Sequence, residues 1–346
     1  MRARAVGAGA ALLVAVGLLA GCSAAEPEGE GTASATASAS ASASASASAG
    51  ASPSPTRSSA ARLDCDALLP VSRASSALGV AAGSLEGTRD EAVRSSAELI
   101  RESAQENGGL LTCAWYQEDG TASITASAAE DAADAFAAAG LSARTRLATD
   151  VEAWSSCSVE VCSVDLLTGT TWVTLALIGS PADTDLAALA TATAAAAVGR
   201  LDEPVTATAP VCADLLTGEQ LATAAGLVDA TPGSGTEGVT PSTASAAAAA
   251  RAGYASCTWT DATSSSYAGL TVDALPNGED GWRNLSLTTG LAVPLTPLDG
   301  LGDKALSGCG GGSCEIDVLA DDVWWLVLVT GDAARAESVA RTLLAV

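Results

Sequence analysis

Cysteines carry most of the reactive chemistry that this sequence offers. Eight of the nine form two series of similar spacing, one in each half of the chain: Cys65, Cys113, Cys157 and Cys162, then Cys212, Cys257, Cys309 and Cys314. Cysteines in even number and recurring spacing can form disulfides, hold a metal or exchange thiols and disulfides. Because the spacing recurs, we expect one module to occur twice.

Disulfides are favoured over the two alternatives. A zinc site would need further ligands, and since the chain has no histidine, these would have to be carboxylates or other cysteines. Redox pairs use a shorter Cys-x-x-Cys spacing than the four residues that separate Cys157 from Cys162. Four cysteines in a module allow three connectivities. The pairing that we predict is Cys65–Cys113, Cys157–Cys162, Cys212–Cys257 and Cys309–Cys314.

Catalytic groups are scarce in this sequence. The commonest general base is absent because the chain has no histidine. Lys304 is the only lysine, and its segment Gly302-Asp303-Lys304-Ala305 matches no Ser-Lys motif. Two carboxylates could hydrolyse a glycoside, but no pair stands out among the 40 acidic residues. We therefore expect a protein that is not an enzyme and that uses no cofactor or metal, with a carboxylate-based hydrolase as the least favoured alternative.

The charge balance is strongly acidic. The formal net charge is −24, which argues against bulk attraction to nucleic acid or to anionic lipid headgroups. An acidic surface is typical of a highly soluble protein, and weak capture of calcium is the alternative interpretation.

The ninth cysteine, Cys22, ends the segment Leu19-Ala20-Gly21-Cys22. Arg2 and Arg4 precede an uncharged run over residues 5–20, and this order of basic, apolar and small residues is typical of a secretory signal. The last four residues resemble the site at which bacterial lipoproteins are cleaved and acylated. We predict a lipoprotein signal peptide over residues 1–21 and fatty acids such as palmitate on Cys22, which anchor the chain on the extracytoplasmic face of the cell membrane.

A low-complexity segment separates Cys22 from the cysteine modules. It alternates alanine and serine over residues 33–49 and continues with Ser52-Pro53-Ser54-Pro55. Alanine offers too little apolar area to offset the entropy of ordering the chain, so we predict a disordered tether over residues 22–62. The remaining chain divides into a first repeat domain over residues 63–204 and a second over residues 205–346.

Each module is predicted to contain a helix, a hairpin, an irregular segment, a second hairpin and a final helix. The first helices end at Gly79 and Gly226, since glycine favours helix C-termini. Asp183 and Asp332 are the predicted N-caps of the final helices. This order predicts an α+β fold, in which each domain is an antiparallel sheet of hairpins covered by helices.

The two modules differ most before their Cys-x-Trp strands. Residues 86–107 of the first carry closely spaced opposite charges and predict a solvated helix. The second instead has Thr231-Pro232-Gly233-Ser234-Gly235 and a run of serine, threonine and alanine, which predicts a loop. Such a divergent surface segment could recognise a partner, and simple drift is the alternative.

Tryptophans are the remaining candidates for binding. Four of them recur between the modules and are predicted core anchors: Trp115, Trp172, Trp259 and Trp324. Trp325 must face the side of its strand opposite to Trp324. It could pack under a helix or, together with Trp282, line an apolar groove, and we take Trp282 and Trp325 as candidate binding residues.

Two short motifs give the chain a family resemblance. Cys65 to Leu69 with Cys113 to Trp115, and again Cys212 to Leu216 with Cys257 to Trp259, resemble an uncharacterised domain of actinobacterial lipoproteins. The chain also resembles the disulfide-bonded extracellular sensor domain of a mycobacterial receptor kinase and, more remotely, the PsbP-like fold.

The resemblance implies a location and a scaffold but no reaction. It leads us to expect a lipid-anchored module that binds an envelope ligand or a protein partner and no nucleic acid. A structural accessory of the cell envelope without a small ligand is the alternative.

Overall fold

The computed structural model describes residues 61–87, 93–232, 235–236, 238–261 and 269–345. The predicted signal peptide, the lipidation site Cys22 and the predicted tether as far as residue 60 lie outside the described residues. The described residues belong to one compact unit of α-helices and β-strands. The division into two tandem homologous domains is therefore not confirmed, whereas the mixed helical and antiparallel character is.

The first half of the chain forms an antiparallel sheet with the order β1-β2-β3-β7-β6-β5-β4. Its strands are β1 (Leu85–Glu86), β2 (Leu111–Gln117), β3 (Ser123–Ala129), β4 (Thr145–Arg146), β5 (Glu152–Cys157), β6 (Val161–Thr168) and β7 (Thr171–Ile178). The predicted hairpins β2–β3 and β6–β7 are both present.

The second half forms another antiparallel sheet with the order β11-β12-β13-β14-β10-β9-β8. Its strands are β8 (Thr231–Pro232), β9 (Ala255–Thr260), β10 (Gly269–Pro276), β11 (Thr296–Pro297), β12 (Lys304–Gly310), β13 (Ser313–Ala320) and β14 (Val323–Thr330). Written from its other edge, this order is β8-β9-β10-β14-β13-β12-β11. If the seven strands of each half are numbered from the start of that half, both sheets have the strand order 1-2-3-7-6-5-4.

Each segment predicted to be irregular contains a full strand and a helix. β5 pairs with β6 and β12 pairs with β13, so each Cys-x4-Cys pair closes a hairpin. Lys304 begins β12 and is exposed, rather than lying in a turn. Period-two alternation is weak in these strands, because small and polar residues such as Ser155, Ser156 and Gly308 occupy them.

Ten α-helical segments occur in the described part of the chain. They are α1 (Cys65–Leu68), α2 (Val71–Leu78), α3 (Ser96–Asn107), α4 (Ala133–Ala138), α5 (Leu186–Ala196), α6 (Cys212–Leu215), α7 (Gly218–Gln220), α8 (Ala244–Arg251), α9 (Glu279–Leu287) and α10 (Ala333–Leu343). A π-helical turn over Leu221–Ala225 extends α7. As predicted, Gly79 and Gly226 end the opening helices, both in the left-handed conformation at φ 66°.

Of the two N-caps predicted for the final helices, one is confirmed and one is wrong. Asp332 caps α10 by accepting a hydrogen bond from the backbone N–H of Arg335. The prediction of Asp183 as the N-cap of α5 is wrong, because Asp185 accepts the corresponding hydrogen bond from Ala188. Two aspartates stand close together in this segment, and sequence spacing alone does not distinguish them.

One face of each sheet packs against helices from its own half. In the first sheet, Val173 and Leu175 of β7 pack with Leu78 of α2 and Leu189 of α5. In the second sheet, Val327 and Val329 of β14 pack with Leu221 and with Val339 of α10. Alternation along the strands sends the intervening residues, among them Trp172 and Trp324, to the other face.

The other face of each sheet packs against one helix of its own half, α4 or α9, and one helix of the opposite half. Leu99, Ile100 and Ala104 of α3 pack on Trp324 and Leu326 of the second sheet. Ala244, Ala247 and Ala248 of α8 pack on Ala129 and Trp172 of the first sheet. The two halves thus exchange one helix each.

This exchange corrects two predictions about the divergent segments. Residues 86–107 do contain a helix, but it is not simply solvated, because its apolar side chains are buried against the other half. The loop predicted for the second half contains α8, which begins after the N-cap Thr243. Packing against the first sheet stabilises a short alanine-rich helix that would be marginal alone.

Candidate functional site

The exchanged helices α3 and α8 contact each other. Ser95 and Glu98 form a capping box at the start of α3, and Gly108 ends the helix. A Cβ atom on Gly108 would lie 2.0 Å from the backbone oxygen of Ala248, so only glycine permits this approach. The guanidinium of Arg251 donates a 3.2 Å hydrogen bond to the Gly108 carbonyl and closes the junction.

A cavity of about 540 Å³ opens beside this helix pair, and we call it the α3–α8 cavity. α3 contributes Arg101 and Gln105, which lie one helical turn apart. α8 contributes Ser245, Ala246, Ala249 and Ala250. The segments over residues 209–211 and 238–242, together with Tyr254, complete the wall. This volume lies within the range of about 300–1,000 Å³ that is usual for small-molecule pockets.

The wall of the α3–α8 cavity is mainly apolar. Alanines of α8, Pro210 and Pro241 supply most of its surface, and Val211 and Val239 are 42% and 59% exposed at its margin. Arg101 is the only charged residue among the described residues that line the cavity. The site therefore combines apolar walls with a single guanidinium, as expected for a site that binds a mostly apolar molecule in a fixed orientation.

Arg101 forms no close ion pair on the described surface. The ion pairs of the described residues include Arg94 with Glu102 on the same helix, but none of them involves Arg101. Arg101 lies near two carboxyl groups, that of Glu98 one turn earlier on α3 and that of Asp273 on β10, and its charge lowers the pKa of both, although burial raises the pKa of Asp273 by more. The guanidinium is exposed and takes part in none of these ion pairs, so it can bind an incoming anion.

Tyr254 lines the cavity and also lies near a buried carboxyl group, that of Asp273. Asp273 on β10 is buried near Tyr254 and Ser256, and its Oδ1 atom has no hydrogen-bond partner in the described structure. Burial raises the pKa of Tyr254 above its usual value, and the nearby charge of Asp273 raises it further. The hydroxyl of Tyr254 therefore stays protonated at neutral pH.

Three carboxylates lie under α3 on the covered face of the second sheet. Asp273 and Asp317 flank Leu326 in one row across β10, β14 and β13, and Glu315 lies two residues from Asp317 along β13. All three are buried, and burial is the main reason that their pKa values are raised. Ser96, in the first turn of α3, donates a 3.1 Å hydrogen bond to Glu315.

None of these carboxylates lines the α3–α8 cavity. The corresponding positions of the first sheet are Ser127, Ser163 and Asp165, as shown by the strand register. The carboxylate trio is thus a feature of the second sheet alone. Among the described residues, no group of three or more histidine, cysteine, aspartate or glutamate side chains is arranged to hold a metal ion.

The four predicted cysteine pairs are bonded as disulfides. Cys65–Cys113 and Cys212–Cys257 tie the opening helices α1 and α6 to β2 and β9, with Cα atoms 5.3 and 5.5 Å apart. Cys157–Cys162 and Cys309–Cys314 link neighbouring strands, with Cα atoms 4.0 and 4.1 Å apart. Each connectivity is the same in both halves.

The structure does not bring Trp282 and Trp325 together. Trp282 on α9 is only 4% exposed and packs edge-on against Trp324, with ring centroids 6.2 Å apart. Trp325 lies on the opposite face of β14, where it packs partly buried against the core under α10. The two side chains therefore do not share a groove. Of the predicted core anchors, Trp172, Trp259 and Trp324 are fully buried, and Trp115 is partly buried.

The residues of the cavity were not identified from the sequence. Arg101 appeared as one of several surface charges on α3, and the alanines of α8 fell in a segment read as a loop. A usable signal was present in Thr243, an N-cap residue that precedes a run of strong helix formers.

Comparisons with known proteins add no relatives: no family model, no curated protein and no solved structure matches the chain. In the parts of the chain that the structure describes, every helix is too short or too polar to cross a lipid bilayer.

Proposed function

We propose that this protein is a membrane-anchored extracytoplasmic lipoprotein that acts as a non-enzymatic binding or sensor-like module. The α3–α8 cavity is the observation that carries this proposal, because its apolar walls and single charged group are suited to hold a small molecule. The cavity lies where the two halves exchange helices, so a bound molecule would contact both halves.

The proposed location is supported by the two kinds of cysteine chemistry. Four disulfides favour an oxidising compartment outside the cytosol, because disulfides are rare in reducing cytosol. The segment Leu19-Ala20-Gly21-Cys22 after an apolar run matches the acylation site of bacterial lipoproteins. Two acyl chains on Cys22 would anchor the protein stably, and the Ala/Ser/Pro segment would hold the folded part away from the bilayer.

We further propose that the two halves are copies of one domain. Both sheets have the same strand order, and both halves carry equivalent disulfides. Trp172 and Trp324 also donate equivalent 2.9 Å hydrogen bonds to Asp165 and Asp317. This proposal accords with the resemblance of each half to the lipoprotein domain with Cys-x-x-Leu-Leu and Cys-x-Trp motifs.

Binding of a neutral apolar fluorophore tests the proposed function. The chain is exported as residues 22–346 with Cys22→Ser, so that no acyl chain or detergent competes for the cavity. We expect N-phenyl-1-naphthylamine to bind saturably at one site with increased fluorescence. Ala250 is an exposed residue of α8 that lines the cavity, so Ala250→Trp should fill the site and abolish this signal.

Ala192→Trp is the matched control, since Ala192 is an exposed alanine of α5 outside the cavity. It should bind the fluorophore as the parent does. Equal fluorescence in the parent and in the Ala250→Trp variant, or no binding by the parent, would contradict the proposal.

A further inference from the structure

We propose that the α3–α8 cavity binds a single-chain amphiphile with one carboxylate, and that the guanidinium of Arg101 binds this carboxylate. This inference rests on the proposed function and names the class of ligand for that site. It follows from the charge of the cavity, from its walls and from its size.

The charge of the cavity selects an anion. Arg101 is the only charged residue among the described residues that line it, in a chain whose formal net charge is −24. No carboxylate of those residues faces the cavity, and Arg101 takes part in none of the ion pairs of the described surface. The exposed guanidinium of Arg101 is solvated by water, and as a charged donor at the edge of an apolar wall it can bind the anionic head of a ligand that enters the cavity.

The geometry of α3 fits a carboxylate head in particular. A guanidinium presents paired N–H donors that match the two oxygens of a carboxylate. Gln105 lines the cavity one turn further along α3 and adds a neutral amide donor. Asp273 is a poor counter-ion for Arg101, because it does not line the cavity and its burial favours the neutral form of its carboxyl group.

The walls select an apolar body. Ala246, Ala249 and Ala250 form an uncharged face along α8, and Val211 and Val239 continue the apolar surface to the margin. Exposed valines at the margin lose contact with water when a ligand covers them, and the removal of this apolar surface from water favours binding.

The size of the cavity is sufficient for one alkyl chain. Its volume of about 540 Å³ lies within the range of about 300–1,000 Å³ that is usual for pockets that bind drug-sized molecules.

Displacement of N-phenyl-1-naphthylamine from the Cys22→Ser chain at pH 7.5 tests the assignment. Four competitors share a twelve-carbon chain and differ in the head group: dodecanoate, 1-dodecanol, dodecyl phosphate and dodecyltrimethylammonium. We expect dodecanoate to displace the fluorophore at about tenfold lower concentration than 1-dodecanol, because a charge-assisted hydrogen bond contributes about that factor. Dodecyltrimethylammonium should be the weakest competitor.

Arg101→Gln should remove the preference for dodecanoate over 1-dodecanol, measured as the ratio of their displacement constants in the same variant. Arg283→Gln is the matched control, because Arg283 is an exposed arginine of α9 that does not line the cavity. It should keep the preference.

The outcomes separate this inference from the proposed function. If the fluorophore binds but dodecanoate and 1-dodecanol compete equally, or if Arg101→Gln keeps the preference, the carboxylate assignment is wrong and the cavity still binds apolar molecules. If dodecyl phosphate competes best, the head group is a phosphate and the carboxylate assignment is again wrong. If the fluorophore does not bind at all, the proposed function itself fails.

Discussion

Trp324 donates a 2.9 Å hydrogen bond from its indole Nε1 to Oδ1 of Asp317, on the face of the second sheet that α3 covers. Trp172 makes the same bond to Asp165 in the first sheet. The two aspartates differ in their other partners. Asp165 forms an ion pair with Arg144, whereas Oδ2 of Asp317 has no hydrogen-bond partner in the described structure.

This difference predicts a pH dependence of stability. Burial raises the pKa of Asp317 to about 8, and the neighbouring charge of Glu315 adds to the shift. The unfolded chain has an aspartate pKa near 3.9. Between these values the folded state holds a proton that the unfolded state has lost, so the free energy of unfolding should fall as the pH rises from about 4 to about 8.

The raised pKa values of Asp273 and Glu315 act in the same direction. Urea unfolding at pH 5, 6.5 and 8 measures this slope. Asp317→Asn should flatten it, because an amide keeps the acceptor for Trp324 but binds no proton. The interpretation fails if the parent chain is equally stable at pH 5 and pH 8, or if the variant keeps the parent's slope.

Asp165→Asn is the control for that experiment. It removes the charge that Arg144 pairs with, and loss of a hydrogen bond to a charged group costs about 2 kcal/mol. We expect a loss of this size at all three pH values, with the slope of the parent retained.

The sequence was sufficient to predict the strands that alternate apolar and polar residues and are joined by short turns. In the β13–β14 hairpin, Asp321 and Asp322 adopt left-handed conformations at φ 49° and 64°, as a two-residue hairpin turn requires. The strands β5 and β12 were missed, because their small and polar residues carry little periodicity. Their place in the sheets is fixed by pairing with β6 and β13 and not by local preference.

The exchange of α3 and α8 could not be derived from local pattern. Leu99, Ile100 and Ala104 make up a narrow apolar stripe among charged residues, which is compatible with a solvated helix. The stripe packs on the second sheet because that sheet has an apolar face, which includes Trp324, available to α3. The candidate cavity depends on this exchange, so the sequence did not reveal it either.

The junction of the two exchanged helices predicts an unusually sensitive glycine. Gly108→Ala places a methyl group 2.0 Å from the backbone oxygen of Ala248, so α3 and α8 must move apart. Forced overpacking of this kind costs about 1–3 kcal/mol. Urea unfolding should show this loss, together with weaker binding of N-phenyl-1-naphthylamine.

Gly83→Ala is the matched substitution, because Gly83 has no neighbouring atom within 4 Å of the added Cβ. It should change the free energy of unfolding by less than about 0.5 kcal/mol. If the two variants are equally stable, the close approach of the helices is not a constraint on the fold.

The proposed anchor predicts where the exported protein is found. Cys22→Ala should abolish incorporation of an alkyne-labelled fatty acid and release the chain from the membrane fraction, because the acyl chains supply the membrane affinity. Ser23→Ala, one residue away, should leave labelling and fractionation unchanged. Membrane retention of an unlabelled Cys22→Ala chain would show that the anchor lies elsewhere.

The two kinds of disulfide should differ in their contribution to stability. Cys65–Cys113 spans 48 residues and Cys157–Cys162 spans five. In the chain-entropy model, a bridge stabilises by restricting the unfolded chain, which gives about 4 kcal/mol for the long loop and about 2 kcal/mol for the short one. The double variant Cys65→Ala with Cys113→Ala should therefore lose more stability in urea than Cys157→Ala with Cys162→Ala.

Burial of the cysteines favours the same ranking of the two stability losses, since Cys113 is in the core of the first sheet and Cys157 is exposed. Replacing Cys212 and Cys257, whose loop is 45 residues, should cost nearly as much as replacing the equivalent pair in the first half. Thiol titration of each unreduced variant checks that the remaining bridges are intact. A larger loss on removing the short bridge would mean that the bridges act by holding the folded strands rather than by restricting the unfolded chain.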